Sequence, residues 1–186
     1  MDVYYKNLNL SIPILNDSAP LEDLKFHYET NMNDSMRKFI HPLFLNLLST
    51  KNTYISFIES FYSHPNIQQP IPIHIDSRGG DYIKINYVIG GKDSTMNWYK
   101  PKSTIDQKIE ISGIGNPYIS FERDRVDLID SAVINPIGIV QVGIPHNITN
   151  LIEDRLCISM YISNLHNRQR LTMNEAIEIF SEYILD

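Results

Sequence analysis

The feature that most constrains this fold is a long central region in which apolar and polar residues alternate. Short segments with a period of two follow one another between residues 53 and 163, and glycine or proline separates most of them. Side chains two positions apart on a strand point to the same face, so this alternation predicts strands with one buried face. The chain also has 29 isoleucines against 3 alanines, and such an excess of β-branched residues favours sheet over helix.

Nine strands are predicted from this pattern. They cover residues 53–62, 71–76, 82–89, 94–99, 108–112, 117–122, 126–134, 138–144 and 155–163. Short strands that follow one another along the chain, without helices between them, are typical of a closed or two-sheet antiparallel architecture. We therefore predict a mainly β fold with flanking helices, either a sandwich or a jelly roll.

Helical patterns flank this region on its N-terminal side. Ser18 has a proline close behind it, which predicts a short helix over 20–24. Apolar residues recur at helical spacing over 33–48, but Pro42 lies inside that run. A helix there either begins at Pro42 or is kinked by it, because proline lacks the N–H of an interior helical position.

The C-terminal region carries the clearest helix signal. Thr172 and Glu175 have the spacing of a capping box ahead of a periodic apolar run. We expect a single domain of 186 residues, 1–186, whose parts are an N-terminal helical flank over 1–50, a barrel over 53–163 and a C-terminal helix over 172–185.

Charge and composition limit the partners that this chain would bind. The 16 basic and 22 acidic side chains give a net charge of −6, which argues against a broad surface for nucleic acid or anionic lipid. The single cysteine, Cys157, excludes an intrachain disulfide and a multi-cysteine zinc site. No run approaches the ~18 apolar residues of a membrane span, and the first residues do not resemble a signal peptide. We expect a soluble, cytoplasmic protein with no membrane or nucleic-acid partner.

One predicted strand combines an imidazole with a carboxylate. In 71–76 the isoleucines share one face, and His74 and Asp76 share the other, where they could chelate one cation. Taken alone, the motif is weak and favours a polar strand face exposed to water over a metal site. Two later residues add to it, because His146 follows an apolar strand and Arg155 opens the next strand nine residues further on.

Two histidines and one carboxylate form the facial triad of non-haem Fe(II) oxygenases, which leaves three coordination positions open. Arg155 shares its strand face with Cys157, Ser159 and Tyr161. A guanidinium inside such a barrel needs an anion, because an unpaired buried charge is costly. A dicarboxylate cosubstrate is one way to satisfy it.

With these residues the chain resembles the Fe(II)- and 2-oxoglutarate-dependent oxygenases, and more narrowly their prolyl/asparaginyl hydroxylase-like branch of phage and marine bacterial type. The resemblance covers about 63–163. Its motifs are His74-Ile-Asp76, Lys84-Ile-Asn86-Tyr87 with Gly90-Gly91, Asn97-Trp98-Tyr99, and Pro145-His146 followed by Arg155 and Ser159. It implies a double-stranded β-helix, a cupin-like jelly roll, with metal ligands at one mouth of the barrel.

The resemblance also implies roles for individual residues. His74, Asp76 and His146 would bind Fe(II), with no catalytic residue beyond these ligands. The implied contacts with 2-oxoglutarate come from Arg155, which would pair with its distal carboxylate, and from Ser159 and Asn86. The implied substrate or cosubstrate pocket adds Tyr99, Trp98 and Tyr62. The activity would be a dioxygenase that hydroxylates a small molecule or peptide and releases succinate and CO₂, with ascorbate as a reductant.

Two other classes stay open at this point. The first is a cupin-type metalloenzyme that does not use 2-oxoglutarate, which the absence of stoichiometric succinate release would reveal. The second is an inactive barrel that serves as a binding or structural module, which a failure to bind metal would reveal. Similar barrels act on peptide side chains, amino acids, nucleobases and small metabolites, so fold alone does not select the substrate.

Overall fold

The computed structural model describes residues 3–24, 29–31, 37–65, 71–76, 80–103, 108–112, 115–134 and 136–185. The strands are β1 (Tyr5–Asn7), β2 (Glu29–Asn31), β3 (Thr53–Ser63), β4 (Ile73–Asp76), β5 (Ile83–Gly90), β6 (Thr95–Pro101), β7 (Lys108–Ile111), β8 (Pro117–Phe121), β9 (Val126–Val133), β10 (Ile137–Gln141), β11 (His146–Thr149) and β12 (Arg155–Asn164). The α-helices are α1 (Leu21–Leu24), α2 (Pro42–Thr50) and α3 (Met173–Ile179).

The strands form two antiparallel sheets of six strands each. The first sheet has the order β1-β10-β5-β12-β3-β2, and the second has the order β7-β8-β4-β11-β6-β9. Neighbours in both sheets are mostly distant in sequence, as in a jelly roll. The predicted mainly β fold with flanking helices is confirmed. Strand pairing within the described ranges does not join the two sheets, so the architecture is a two-sheet, jelly-roll-like sandwich without barrel closure.

Each of the nine predicted strands overlaps an observed strand, but three strands were not predicted. These are β1, β2 and β11, which have only three or four residues each. Alternation cannot be recognised over so short a segment, since two or three side chains do not establish a period. β1 and β2 lie at the two edges of the first sheet, so the N-terminal flank contributes strands as well as helices.

The helices show where local capping rules apply. α2 begins at Pro42, with His41 as its N-cap, so proline starts this helix and does not kink it. The predicted residues 33–36 of that run lie outside the described residues. α3 has the expected capping box but ends at Ile179, and a 3₁₀ turn follows over Ser181–Tyr183 in place of a helix to 185. Of the helices that the described ranges contain, none has the length and apolar character needed to cross a bilayer.

The first sheet is buried on both faces, and this determines where a site can form. Its outer face packs against the helices through a cluster that includes Phe44, Ile85, Ile158 and Phe180. Its inner face meets the second sheet through another cluster, which includes Cys157. Alternate residues of β12 therefore point either to the helices or to the space between the sheets.

Candidate metal centre

A cavity of about 820 Å³ lies between the two sheets. All six residues that were expected to bind metal or cosubstrate line it, namely His74, Asp76, Asn86, His146, Arg155 and Ser159. They come from β4 and β11 of the second sheet and from β5 and β12 of the first. The sandwich thus brings residues that are far apart in sequence to one cavity.

Strand pairing positions the three candidate metal ligands. His74 and Asp76 are alternate residues of β4, and His146 of β11 lies directly opposite His74. Asp76 Oδ1 is 3.3 Å from His74 Nε2 and 4.0 Å from His146 Nε2. All three ligand atoms lie within 4.8 Å of one another, so this group could hold a metal ion. Adjacent ligands at ~2.1 Å from an octahedral metal are ~3 Å apart, close to the shorter of these separations.

Both imidazoles are oriented by backbone carbonyls. His74 Nδ1 is 2.9 Å from the carbonyl oxygen of Pro72, and His146 Nδ1 is 2.8 Å from that of Ile144. A carbonyl can only accept, so each Nδ1 carries the hydrogen. In the neutral rings each Nε2 then has its lone pair free for a metal, an arrangement typical of metal-ligating histidines.

The protonation states of two ligands suit metal binding. Burial would raise the pKa of Asp76, but the positive charge of Lys84 and the hydrogen bond from His74 outweigh it and hold that pKa well below its usual range. Burial and repulsion from His74 lower the pKa of His146 to about 4. His74 differs, because its hydrogen bond to Asp76 and the charge of that carboxylate outweigh burial and raise its pKa. Asp76 is thus ionised and His146 neutral near pH 7, whereas His74 holds its proton more tightly.

Arg155 supplies an unsatisfied donor to the same cavity. The residue is 3% exposed, and its Nε has no hydrogen-bond partner among the residues that the structure describes. Gly91, at a φ of +67°, makes room for it, because a Cβ there would lie 2.6 Å from Arg155 Cγ. A buried donor without a partner is costly, so this position is suited to an anionic ligand.

Ser159 and Asn86 form a polar pair beside Arg155. They face each other across the pairing of β12 with β5, and Ser159 Oγ donates a hydrogen bond of 2.6 Å to Asn86 Oδ1. Both are buried, and both line the cavity. The pair therefore leaves the Asn86 amide nitrogen as a donor and the Ser159 hydroxyl oxygen as an acceptor for a ligand bound there.

None of the three expected pocket aromatics is among the residues that line this cavity. Trp98 is completely buried between the sheets, and its Nε1 donates to the Gln141 carbonyl oxygen at 2.7 Å. Tyr99 packs in a separate apolar cluster of the second sheet. Tyr62 lies on the opposite face of β3 and packs against the helix-covered core. The strand positions of Tyr99 and Tyr62 direct their side chains away from the metal group. Trp98 lies opposite His146 on the same face of the second sheet, but its ring is buried in the cluster between the sheets and does not line the cavity.

Sequence reasoning gave no role to Lys84 or Glu59, two buried charged residues of the same cavity. Lys84 Nζ lies 2.6 Å from Asp76 Oδ2 and 2.7 Å from Glu59 Oε2. Lys84 is two positions from Asn86 on β5, so the alternation already placed it on the inner face. A lysine on the inner face of a mostly apolar strand was the signal that could have identified it.

In comparisons with known proteins, no family model and no curated protein sequence matches the chain. Function is therefore inferred from the residues of the cavity. Those residues combine a candidate site for a divalent cation with a buried, partly unpaired arginine. Such a combination can bind a metal and a small anion side by side.

Proposed function

We propose that the protein is a non-haem Fe(II)- and 2-oxoglutarate-dependent dioxygenase that hydroxylates a small molecule or a peptide side chain, with release of succinate and CO₂. One observation carries this proposal: a single cavity contains both a His-Asp-His group and a buried arginine whose Nε is unpaired among the described residues. The first is the ligand set of non-haem Fe(II) oxygenases. The second suits the distal carboxylate of 2-oxoglutarate.

The donor set fits iron. His74, Asp76 and His146 would hold it through two imidazole nitrogens and one carboxylate oxygen, a combination that suits Fe(II) and leaves three positions open. Bound iron would supply the redox chemistry with O₂ that protein side chains lack. The protein's part is to orient these ligands, and the carbonyls of Pro72 and Ile144 do so by fixing the histidine rings.

Arg155, Ser159 and Asn86 would hold the cosubstrate. A planar guanidinium can bind a carboxylate through two parallel hydrogen bonds, which gives both charge and direction. Burial strengthens such a bond because little water competes for it. Ser159 shares the inner face of β12 with Arg155, so its hydroxyl and the Asn86 amide can contact the same ligand.

The remaining walls of the cavity are largely apolar. They include Phe57, Phe61, Met96, Val142, Ile148 and Cys157. Apolar walls limit the water near the reacting groups, and electrostatic interactions with bound ligands are stronger there than in bulk solvent. The space also suffices for a primary substrate beside the cosubstrate, since small-molecule sites typically measure ~300–1,000 Å³.

The alternative without 2-oxoglutarate, a cupin-type metalloenzyme or metal-binding module, shares the same metal group. It leaves Arg155 without an explanation, because nothing in that alternative requires a buried arginine beside the metal ligands. We also propose a cytoplasmic location, where the lone buried Cys157 would remain a thiol.

Two experiments test the proposal, first a ligand-binding measurement and then a turnover assay. Protein loaded with Ni(II), which does not support turnover, should bind 2-oxoglutarate in a calorimetric titration, and metal-free protein should bind it far more weakly. Fe(II)-loaded protein should then release succinate with some members of a panel of peptides, amino acids and metabolites. Equal 2-oxoglutarate affinity with and without metal would contradict the proposal.

A further inference from the structure

The two carboxylate oxygens of Asp76 have different partners. Oδ1 faces the histidines, at 3.3 Å from His74 Nε2 and 4.0 Å from His146 Nε2. Oδ2 instead lies 2.6 Å from Lys84 Nζ. One oxygen is therefore available to a metal, while the other is already engaged by a cation.

Lys84 has little freedom to leave this position. Its side chain is 2% exposed, and β5 lies inside the first sheet between β10 and β12. The ammonium also packs over the ring of Tyr161, at 4.4 Å from the ring centroid. Because a buried ammonium without partners is costly, Lys84 is held where Asp76 and Glu59 both contact it.

Glu59 compensates the charge of Lys84. Its Oε2 is 2.7 Å from Lys84 Nζ, and its Oε1 accepts a hydrogen bond of 3.0 Å from Asn116. With neutral imidazoles, the charges of Asp76, Glu59 and Lys84 sum to one negative charge. Lys84 can therefore hold Asp76 without cancelling the charge that attracts a divalent cation.

We propose that Lys84 is a positioning residue of the metal centre, which restrains Asp76 to bind through Oδ1 alone. This inference rests on the metal centre of the proposed function. A carboxylate can bind a metal through one oxygen or through both. A second oxygen from Asp76 would occupy one of the three positions that a facial triad leaves open. By engaging Oδ2, Lys84 keeps that position available for exogenous ligands.

Infrared difference spectra of Ni(II)-loaded minus metal-free protein test the restraint directly. One-oxygen coordination separates the antisymmetric and symmetric carboxylate stretches widely, whereas two-oxygen coordination brings them close together. The double variant Lys84→Met with Glu59→Gln removes the restraint and keeps the net charge of the site. We expect a wide separation in the wild type, a narrow one in the double variant, and roughly tenfold weaker Ni(II) binding by that variant.

A matched control is the double variant Lys51→Met with Glu182→Gln, which removes another lysine–glutamate pair outside the cavity. It should change neither the spectrum nor the Ni(II) affinity. A narrow separation in the wild type overturns the inference, and so does a wide separation that persists in the Lys84→Met, Glu59→Gln protein. The wild-type spectrum alone can contradict the inference, even if the Lys84→Met, Glu59→Gln variant does not fold.

If the proposed function is wrong but the inference about Lys84 is right, the same experiments give a different set of results. Ni(II) binding with a wide separation, but without 2-oxoglutarate binding or succinate release, would contradict the cosubstrate assignment and support the role of Lys84. A wild-type protein that does not bind Ni(II) would contradict both, because Asp76 would then not be part of a metal centre.

Discussion

His146 lies directly opposite His74 in the one residue pair through which β11 and β4 are joined. Their imidazole centroids are 4.5 Å apart, although the two residues are far apart in sequence. On its other side β11 continues its pairing along β6, from Trp98 to Thr95. The metal group therefore depends on the alignment of β11, which β6 fixes over its whole length.

Asp76→Ala should abolish metal binding without unfolding the protein. The variant loses the only anionic ligand of the triad, and Lys84 keeps Glu59 as a partner. The loss in unfolding free energy should thus stay below the ~3–5 kcal/mol that an uncompensated buried charge costs. Ni(II) titration and thermal unfolding by circular dichroism measure the two effects. Succinate production by this variant at matched iron loading, even without substrate, would exclude Asp76 as an essential ligand.

Arg155→Lys should weaken 2-oxoglutarate binding and leave metal binding unchanged. Lysine keeps the charge but loses the planar fork, so we expect at least a tenfold higher apparent Michaelis constant for 2-oxoglutarate, from the ~1.5–3 kcal/mol of a hydrogen bond to a charged group. Arg170→Lys is the matched control, because Arg170 lines the same cavity but is exposed. Equal increases in this Michaelis constant for the two variants would contradict a specific role of Arg155 in binding 2-oxoglutarate.

Gly91→Ala should weaken the binding of 2-oxoglutarate and leave metal binding unchanged. Gly91 has a φ of +67°, and an added Cβ would also lie within 2.8 Å of three carbons of the Arg155 side chain. Gly115→Ala is the control for backbone strain alone, since Gly115 has a φ of +84° and no atom within 4 Å of an added Cβ. Gly115→Ala should lose ~1–2 kcal/mol of unfolding free energy, and Gly91→Ala should lose more, because its Cβ also contacts the Arg155 side chain. Only Gly91→Ala should weaken 2-oxoglutarate binding to the Ni(II) protein.

Metal binding should release one proton near pH 6. The pKa of His146 is lowered to about 4 by burial and by repulsion from His74, so this ligand is already neutral. The pKa of His74 is raised by Asp76, which outweighs burial, so His74 must lose a proton before it can bind. Affinity should thus fall about tenfold per pH unit below the raised pKa of His74, and more steeply below about pH 4. Calorimetry in buffers of different ionisation enthalpy counts the protons, and release of two at pH 6 would contradict this assignment.

Local patterns in the sequence determined most of the secondary structure and the placement of two of the three residues of the metal group. Alternation predicted the strands that carry the site, and it placed His74 and Asp76 on one face of β4. The capping box of Thr172 and Glu175 predicted where α3 begins. These features depend on residues within a few positions of one another, so the sequence contains all that is needed to predict them.

Tertiary structure decided which of these faces meet. Trp98 and Tyr99 were expected beside a ligand, but the packing of the second sheet encloses them in apolar clusters. Lys84 was expected only as part of a motif, yet the approach of β3 and β4 gives it two carboxylates. A period along the chain fixes the direction of a side chain relative to its own strand. Its partners are fixed by pairing between distant strands and by the stacking of the two sheets, and these depend on the burial of the whole core.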